Sequence, residues 1–203
     1  DPYTFNYSVN GSSTTASGSP TATVVSTNTL SGSNTYSLLS VSDANGCSQA
    51  QSGSAVITVR NLPTASIAES TTVCKNALAD ITFTGASTSA PYTYFYSINN
   101  AGSYSVSSAG SNTVVPVPTT STGDFTYSLV SVSDTYGCSQ TQTGGATVTV
   151  NNLPTASLSN DTMVCVGGSG SVVFRGVGGI PPYIFTYQVN GATQPTVSST
   201  HPE

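Results

Sequence analysis

Residues 126–158 read TYSLVSVSDTYGCSQTQTGGATVTVNNLPTASL, and residues 35–67 read TYSLLSVSDANGCSQAQSGSAVITVRNLPTASI. Of these 33 paired positions 23 are identical, at a constant offset of 91 residues. Tyr and Leu alternate with Ser and Thr at the start, and Ala146, Val148 and Val150 alternate with Thr at the end. A period of two is the pattern of a strand with one buried face. A long period carried by such strands, and punctuated by Gly and Pro, marks tandem β-domains rather than one globule.

Working outward, a second strand occurs three times: Pro2-Tyr3-Thr4-Phe5-Asn6-Tyr7, Pro91-Tyr92-Thr93-Tyr94-Phe95-Tyr96 and Pro182-Tyr183-Ile184-Phe185-Thr186-Tyr187. Each copy runs into a turn, Asn10-Gly11, Asn99-Asn100 or Asn190-Gly191, and Asn-Gly after an alternating run is a strong hairpin signal. The copies are offset by 89 and 91 residues, so the first has two residues fewer in the loop before Tyr36. The middle repeat parses into strands at 64–68 and 71–74 (one broken strand), 79–85, 92–98, 104–108, 112–117 and 124–134, and a last strand ending with 146–151. About seven short strands in roughly 91 residues is the signature of an Ig-like β-sandwich. No segment keeps a helical period. The expected fold is therefore all-β, as tandem sandwich repeats. Residues 1–62 read as the C-terminal part of one repeat, 63–153 as a complete repeat and 154–203 as the N-terminal part of the next. The chain reads as a window on a longer protein. The boundaries at Asn61-Leu62-Pro63 and Asn152-Leu153-Pro154 leave so little linker that a semi-rigid rod is expected.

One irregularity recurs inside the strong strand. Tyr127 and Leu129 share a face, whereas Val130 and Val132 lie in the opposite phase, and Tyr36 and Leu38 stand the same way against Leu39 and Val41. A slip at the same place twice predicts a β-bulge or a strand end covered on both faces.

Composition excludes several functions. Charged residues are only 5% of the chain, with 3 basic against 8 acidic side chains and a net charge of −5. Arg60, Lys75 and Arg175 are the whole basic complement, too few to neutralise a nucleic-acid backbone. No apolar run approaches the length of a transmembrane helix. Ser and Thr together number 67, which suits an exposed β-protein of the secreted kind. His201 is the only histidine and the acids are scattered singly, so no catalytic set, metal cluster or cofactor motif is expected.

Three groups could still carry chemistry. The stripe Tyr92, Tyr94, Tyr96 and its copies put three rings on one strand face, either as a stacking platform for sugars or as core filling. With no Trp in the chain the core reading is preferred, the ring nearest the strand end being its exception. Asp43 and Asp134 close the strong strand before a Gly-containing turn. They are expected to cap that turn rather than hold calcium, which needs several clustered oxygens. Cys47 and Cys138 follow Gly in this turn, and Cys74 and Cys165 end the broken first strand, so each repeat carries one cysteine of each kind. In an oxidising exterior that regularity predicts disulfides. Two pairings stay open: Cys74 with Cys138 inside one repeat, or each with a cysteine of an adjacent repeat. Cys47 and Cys165 find partners outside residues 1–203 in either case.

Pro-Tyr-x-[Phe/Tyr] opening a strand, Gly-x-[Phe/Tyr] leading to Ser-Asp-x-x-Gly-Cys, and Val-Cys near the start of a repeat together resemble a known class. The class is the Ig-like/PKD-like repeats of very large Bacteroidetes cell-surface proteins, including SprB-type gliding-motility adhesins. The resemblance implies export by the type IX secretion route, display on the outer cell surface, and a non-catalytic stalk role in adhesion or gliding motility. The implied partners are neighbouring repeats, the secretion or motility machinery, and polysaccharide or other surface ligands. It also implies O-glycosylation at Asp-[Ser/Thr]-aliphatic sites, for which Thr162 in Asp161-Thr162-Met163 is the candidate. Two other readings are a spacer in a secreted polysaccharide-active enzyme and a subunit of an extracellular fibre.

Overall fold

The computed structural model describes residues 2–24, 31–86, 90–159 and 162–200. Every regular element among them is a β-strand, so the chain is all-β. It divides into two compact units, Asp1–Leu62 and Pro63–Glu203.

The first unit holds β1 (Tyr3–Val9), β2 (Ser12–Gly18), β3 (Gly32–Ser42), β4 (Ser48–Ala50) and β5 (Ser54–Val59). They form one sheet in the order β2-β1-β3-β4, with β5 also paired to β3. Asn10 and Gly11 turn β1 into β2 with positive φ of 48° and 89°, the backbone that the Asn-Gly signal anticipates.

The second unit begins with a complete repeat: β6 (Thr64–Ala68), β7 (Thr71–Cys74), β8 (Asp80–Ala86), β9 (Tyr92–Ile98), β10 (Ala101–Ser107), β11 (Asn112–Pro116), β12 (Gly123–Asp134), β13 (Ser139–Thr141) and β14 (Gly145–Asn151). The larger sheet runs β10-β9-β12-β14-β7 with β13 beside β12, and the smaller runs β11-β8-β6. The broken first strand is thereby explained. Its first half pairs β8 in the smaller sheet, and its second half crosses to pair β14 in parallel in the larger one. The single last strand expected after Gly137 is two strands, β13 and β14.

Between the sheets lies one core. Ile81, Phe83, Tyr94, Val132 and Val148 are fully buried, and Tyr92, Tyr127, Leu129, Ala146 and Val150 nearly so. Phe83 lies with its ring centroid 5.5 Å from that of Tyr94 and 5.1 Å from that of Tyr96, and Tyr96 stacks on Tyr127 at 5.9 Å. Burial of each such side chain contributes about 1.5–3 kcal/mol before conformational entropy is subtracted.

The predicted slip is a β-bulge in both copies. Pairing between β12 and β9 shifts between Leu129 and Ser131, and pairing between β3 and β1 shifts between Leu38 and Ser40. Val130 and Leu39 are the extra residues, 49% and 40% exposed. The bulge resets the alternation, so Leu129 and Val132 both reach the core.

After the complete repeat come β15 (Thr155–Ser159), β16 (Val173–Val177), β17 (Tyr183–Phe185), β18 (Gln188–Val189), β19 (Ala192–Thr193) and β20 (Val197–Ser199). β15 pairs β16 with Leu158 opposite Phe174, the register in which β6 pairs β8 with Ile67 opposite Phe83. A glycine repeats as well. A Cβ on Gly85 would sit 2.5 Å from the Tyr92 ring, and one on Gly176 2.6 Å from the Tyr183 ring. Only a bare Cα lets those rings lie flat on the neighbouring strand.

Candidate functional site

The turn that carries the cysteine is built by its own aspartate. One carboxylate oxygen of Asp134 accepts the N–H of Tyr136 at 2.9 Å and of Cys138 at 3.0 Å. The Asp134 N–H donates to the Cys138 carbonyl at 3.0 Å, and the Gly137 N–H to the Asp134 carbonyl at 3.1 Å. Asp43 does the same for Asn45 at 3.0 Å and Cys47 at 2.9 Å. Gly46 and Gly137 close the two turns at φ 85° and 80°, a left-handed backbone that favours glycine. The aspartates are caps, as their position before the turn predicts. Among the described residues no three His, Cys, Asp or Glu side chains are grouped to hold a metal ion, and no helix is long and apolar enough to cross a membrane.

The cysteines sit at opposite ends of the repeat. Cys74 ends β7 beside Asn151, at the end where the chain leaves the repeat. Gly123 starts β12 beside Val150 at that same end, and β12 runs the full length of the sheet to Asp134 before Cys138 follows. Twelve residues of strand separate the two levels, on the order of 35 Å at the usual rise, whereas a disulfide needs Cα atoms within about 7 Å. The pairing of Cys74 with Cys138 inside one repeat is therefore corrected. The broken first strand carries Cys74 away from the turn, and all four thiols are free in this structure. Cys47, Cys74 and Cys165 are exposed and Cys138 is partly so.

Most of the aromatic stripe is core. Tyr92, Tyr94 and Tyr96 are 2%, 0% and 7% exposed, and Tyr183 and Phe185 are buried too. Burial raises the pKa of Tyr94, Tyr96 and Tyr127 above the ordinary 10.0, because the phenolate would lose its hydration. In the first unit the same stripe is different. Phe5, Tyr7, Tyr36, Leu38 and Ala55 line an open apolar groove of about 390 Å³. The strands that cover these positions in the complete repeat have no counterpart in residues 2–24 or 31–62.

Thr162 is exposed, and Asp161 lies outside the described residues. Thr162 belongs to no strand in this structure, whereas Thr71 at the corresponding place of the preceding repeat begins β7 and pairs with Val148.

Sequence reading missed the polar ties between sheets. The Gln142 side-chain carbonyl accepts the Ala65 N–H at 3.2 Å, and the Thr147 N–H donates to Ser70 Oγ at 3.0 Å. It also missed a tie within the larger sheet, where buried Ser108 accepts the Tyr92 N–H at 3.0 Å and donates to the Gly110 carbonyl at 2.6 Å. The recurrence of Gln at 51 and 142 within the duplicated stretch was the available signal.

No protein-family model matches the chain, and no curated protein matches it. Among solved structures it is similar to fibronectin(III)-like modules of CbhA from Clostridium thermocellum. Identity is 12%, the match covers 73% of this chain and 78% of that one, and the TM-score is 0.36. A likeness so weak carries no functional argument.

Proposed function

We propose that these repeats form a non-catalytic stalk of a secreted cell-surface protein, holding a binding or motile element away from the cell in adhesion or gliding. One observation carries the reading: the complete repeat encloses its aromatic stripe between its sheets, where a sugar-binding face would need the rings in water. One oxygen of the Asp134 carboxylate accepts two N–H groups of the turn, which supports a capping role for it. The resemblance to Bacteroidetes surface repeats supplies the cellular setting, with type IX export and glycosylation of Thr162 as its corollaries. Cysteines at opposite ends of a repeat favour bonds between successive repeats, which would stiffen a stalk at its joints.

The test is a glycan-binding screen on the whole chain paired with single-molecule stretching. The stalk reading expects no selective glycan retention, and separate unfolding events under load. Tight, saturable glycan binding that maps to residues 63–153 would overturn it. A catalytic domain elsewhere in the reading frame would instead favour the spacer of a polysaccharide-active enzyme.

A further inference from the structure

We propose that β7 and β14 form a mechanical clamp, a ladder that resists tension along the chain and sets the strength of the complete repeat under load. What the clamp would serve rests on the stalk reading, whereas the clamp itself does not. Tension enters the complete repeat through Pro63 and leaves it beyond Asn151. Thr64 at the start of β6 lies beside Ala86 at the end of β8, and Cys74 at the end of β7 lies beside Asn151 at the end of β14. β6 and β7 thus run from the end of the repeat where the chain enters toward the end where it leaves, as β14 does. The two loaded strands meet directly where β7 pairs β14 in parallel: Val148 with Thr71, Thr149 with Thr72, Val150 with Val73 and Asn151 with Cys74.

The direction of pull decides how this ladder breaks. Drawing β7 back by its first residue and β14 forward by its last slides the two strands past each other. Every bond of the ladder is then strained at once, whereas a hairpin pulled at its open end parts one bond at a time. Two further bonds lengthen the ladder. The Thr147 N–H donates to Ser70 Oγ at 3.0 Å ahead of its first pair, and the Lys75 N–H donates to the Asn151 carbonyl at 2.8 Å beyond its last. The chain reaches this edge by a strained step. Glu69, between β6 and β7, has φ 86°, a left-handed backbone that residues with a Cβ rarely adopt. That strain persists because both neighbours are fixed, β6 by β8 and the Gln142 side chain, and β7 by β14. The first strand is thus held in both sheets at once. All of these groups lie within residues 63–153, which have chain on either side. Forced unfolding follows the unfolding rate, and a bond that breaks before the barrier changes that rate in full.

Single-molecule stretching of the whole chain in two directions tests the clamp. Cys47, Cys138 and Cys165 are replaced by Ser, so that exposed Cys74 serves as one handle, and tags at the two chain ends supply the others. Pulled end to end, the complete repeat is identified by the release of on the order of 300 Å of chain. It should unfold at a higher force in that direction than when pulled between Cys74 and the C-terminal end. Cys74 and Asn151 are neighbours at one end of the ladder, so the second pull opens it bond by bond. Under constant end-to-end load, Ser70→Ala and Lys75→Pro should each shorten the folded lifetime about fivefold, the equivalent of one hydrogen bond. Ser70→Thr, which keeps the hydroxyl, and Lys75→Ala, which keeps the N–H, should leave the lifetime unchanged. If Lys75→Pro does not fold, Ser70→Ala against Ser70→Thr decides. Equal forces in the two directions, or a Ser70→Ala lifetime equal to that of the parent chain, would overturn the clamp. Selective glycan binding would instead sink the stalk reading and leave these forces as they are.

Discussion

Among the described residues one sheet is built twice and covered by a second sheet once. In the complete repeat and in the first unit the hydrogen bonds that shape the hairpin turn, the bulge and the Gly-Cys turn recur. Asn99 and Asn10 accept the N–H of Thr126 and Thr35 at 2.8 and 2.9 Å. Leu129 and Leu38 donate to Gly144 and Gly53 at 2.9 and 2.8 Å, and Gln142 and Gln51 donate to Val130 and Leu39 at 2.8 Å each. Burial does not agree: Tyr127 is 1% exposed, while its counterpart Tyr36 is only half-buried. Turns, bulge and register are thus properties of the sheet's own sequence. The core is a property of what lies over the sheet.

The largest test of that contrast is a pair of equivalent deletions. Tyr127→Ala should destabilise its repeat by about 3–5 kcal/mol, the range for removing a large buried aromatic. Tyr36→Ala should cost about 1 kcal/mol, since a half-buried ring gives up less apolar contact. Hydrogen exchange resolves the two units separately. Equal costs would break the comparison. Gly85→Ala comes next, at about 1–3 kcal/mol, because its Cβ would fall 2.5 Å from the Tyr92 ring within a filled core. Denaturant melts of the complete repeat measure it, and an unchanged midpoint would mean that the ring is free to move.

Much of this was legible in the sequence, and the exceptions have physical causes. Period-two alternation, Asn-Gly turns and the phase slip at Leu39 and Val130 are local features, and strands, hairpins and bulge follow from them without regard to what packs on the sheet. The cap role of Asp134 was readable because a carboxylate ahead of a Gly turn has few other uses. Disulfide pairing was only partly readable. A first strand that leaves the entry end already argues for Cys74 at the far end from the Gly-Cys turn, but only the observed length of β12 between the two levels decides against the pair. The half-burial of Tyr36 was not readable from its own stretch, since Phe5 and Tyr36 look like core residues in both settings and only the covering strands distinguish them.

Alkaline pH reads the same burial as a graded effect. The phenols of Tyr94, Tyr96 and Tyr127 have folded pKa values raised above 10.0 by desolvation. The unfolded chain therefore loses these protons first. Their contribution is intact below pH 10 and declines as pH rises through the folded values. Stability of the complete repeat, followed by denaturation at successive pH values, should fall above that point. Tyr127→Phe should shallow the fall, and an unchanged slope would show that its phenolate is hydrated in the folded state.

The smallest effect should be the most symmetrical. Asp134→Ala and Asp43→Ala each remove one carboxylate that accepts two backbone N–H groups. The loss should be about 1–2 kcal/mol, read as faster exchange of the Cys138 and Cys47 amides. The groups involved lie within five consecutive residues and draw nothing from the second sheet, so the two costs should agree within about 0.5 kcal/mol despite the different cores. Asn at either position keeps one side-chain oxygen as acceptor and should restore most of the protection. A much larger cost at Asp134 than at Asp43 would mean that the turn leans on the covered core. In that case the division between what the sheet encodes and what its cover adds would have to be drawn closer to the strand ends.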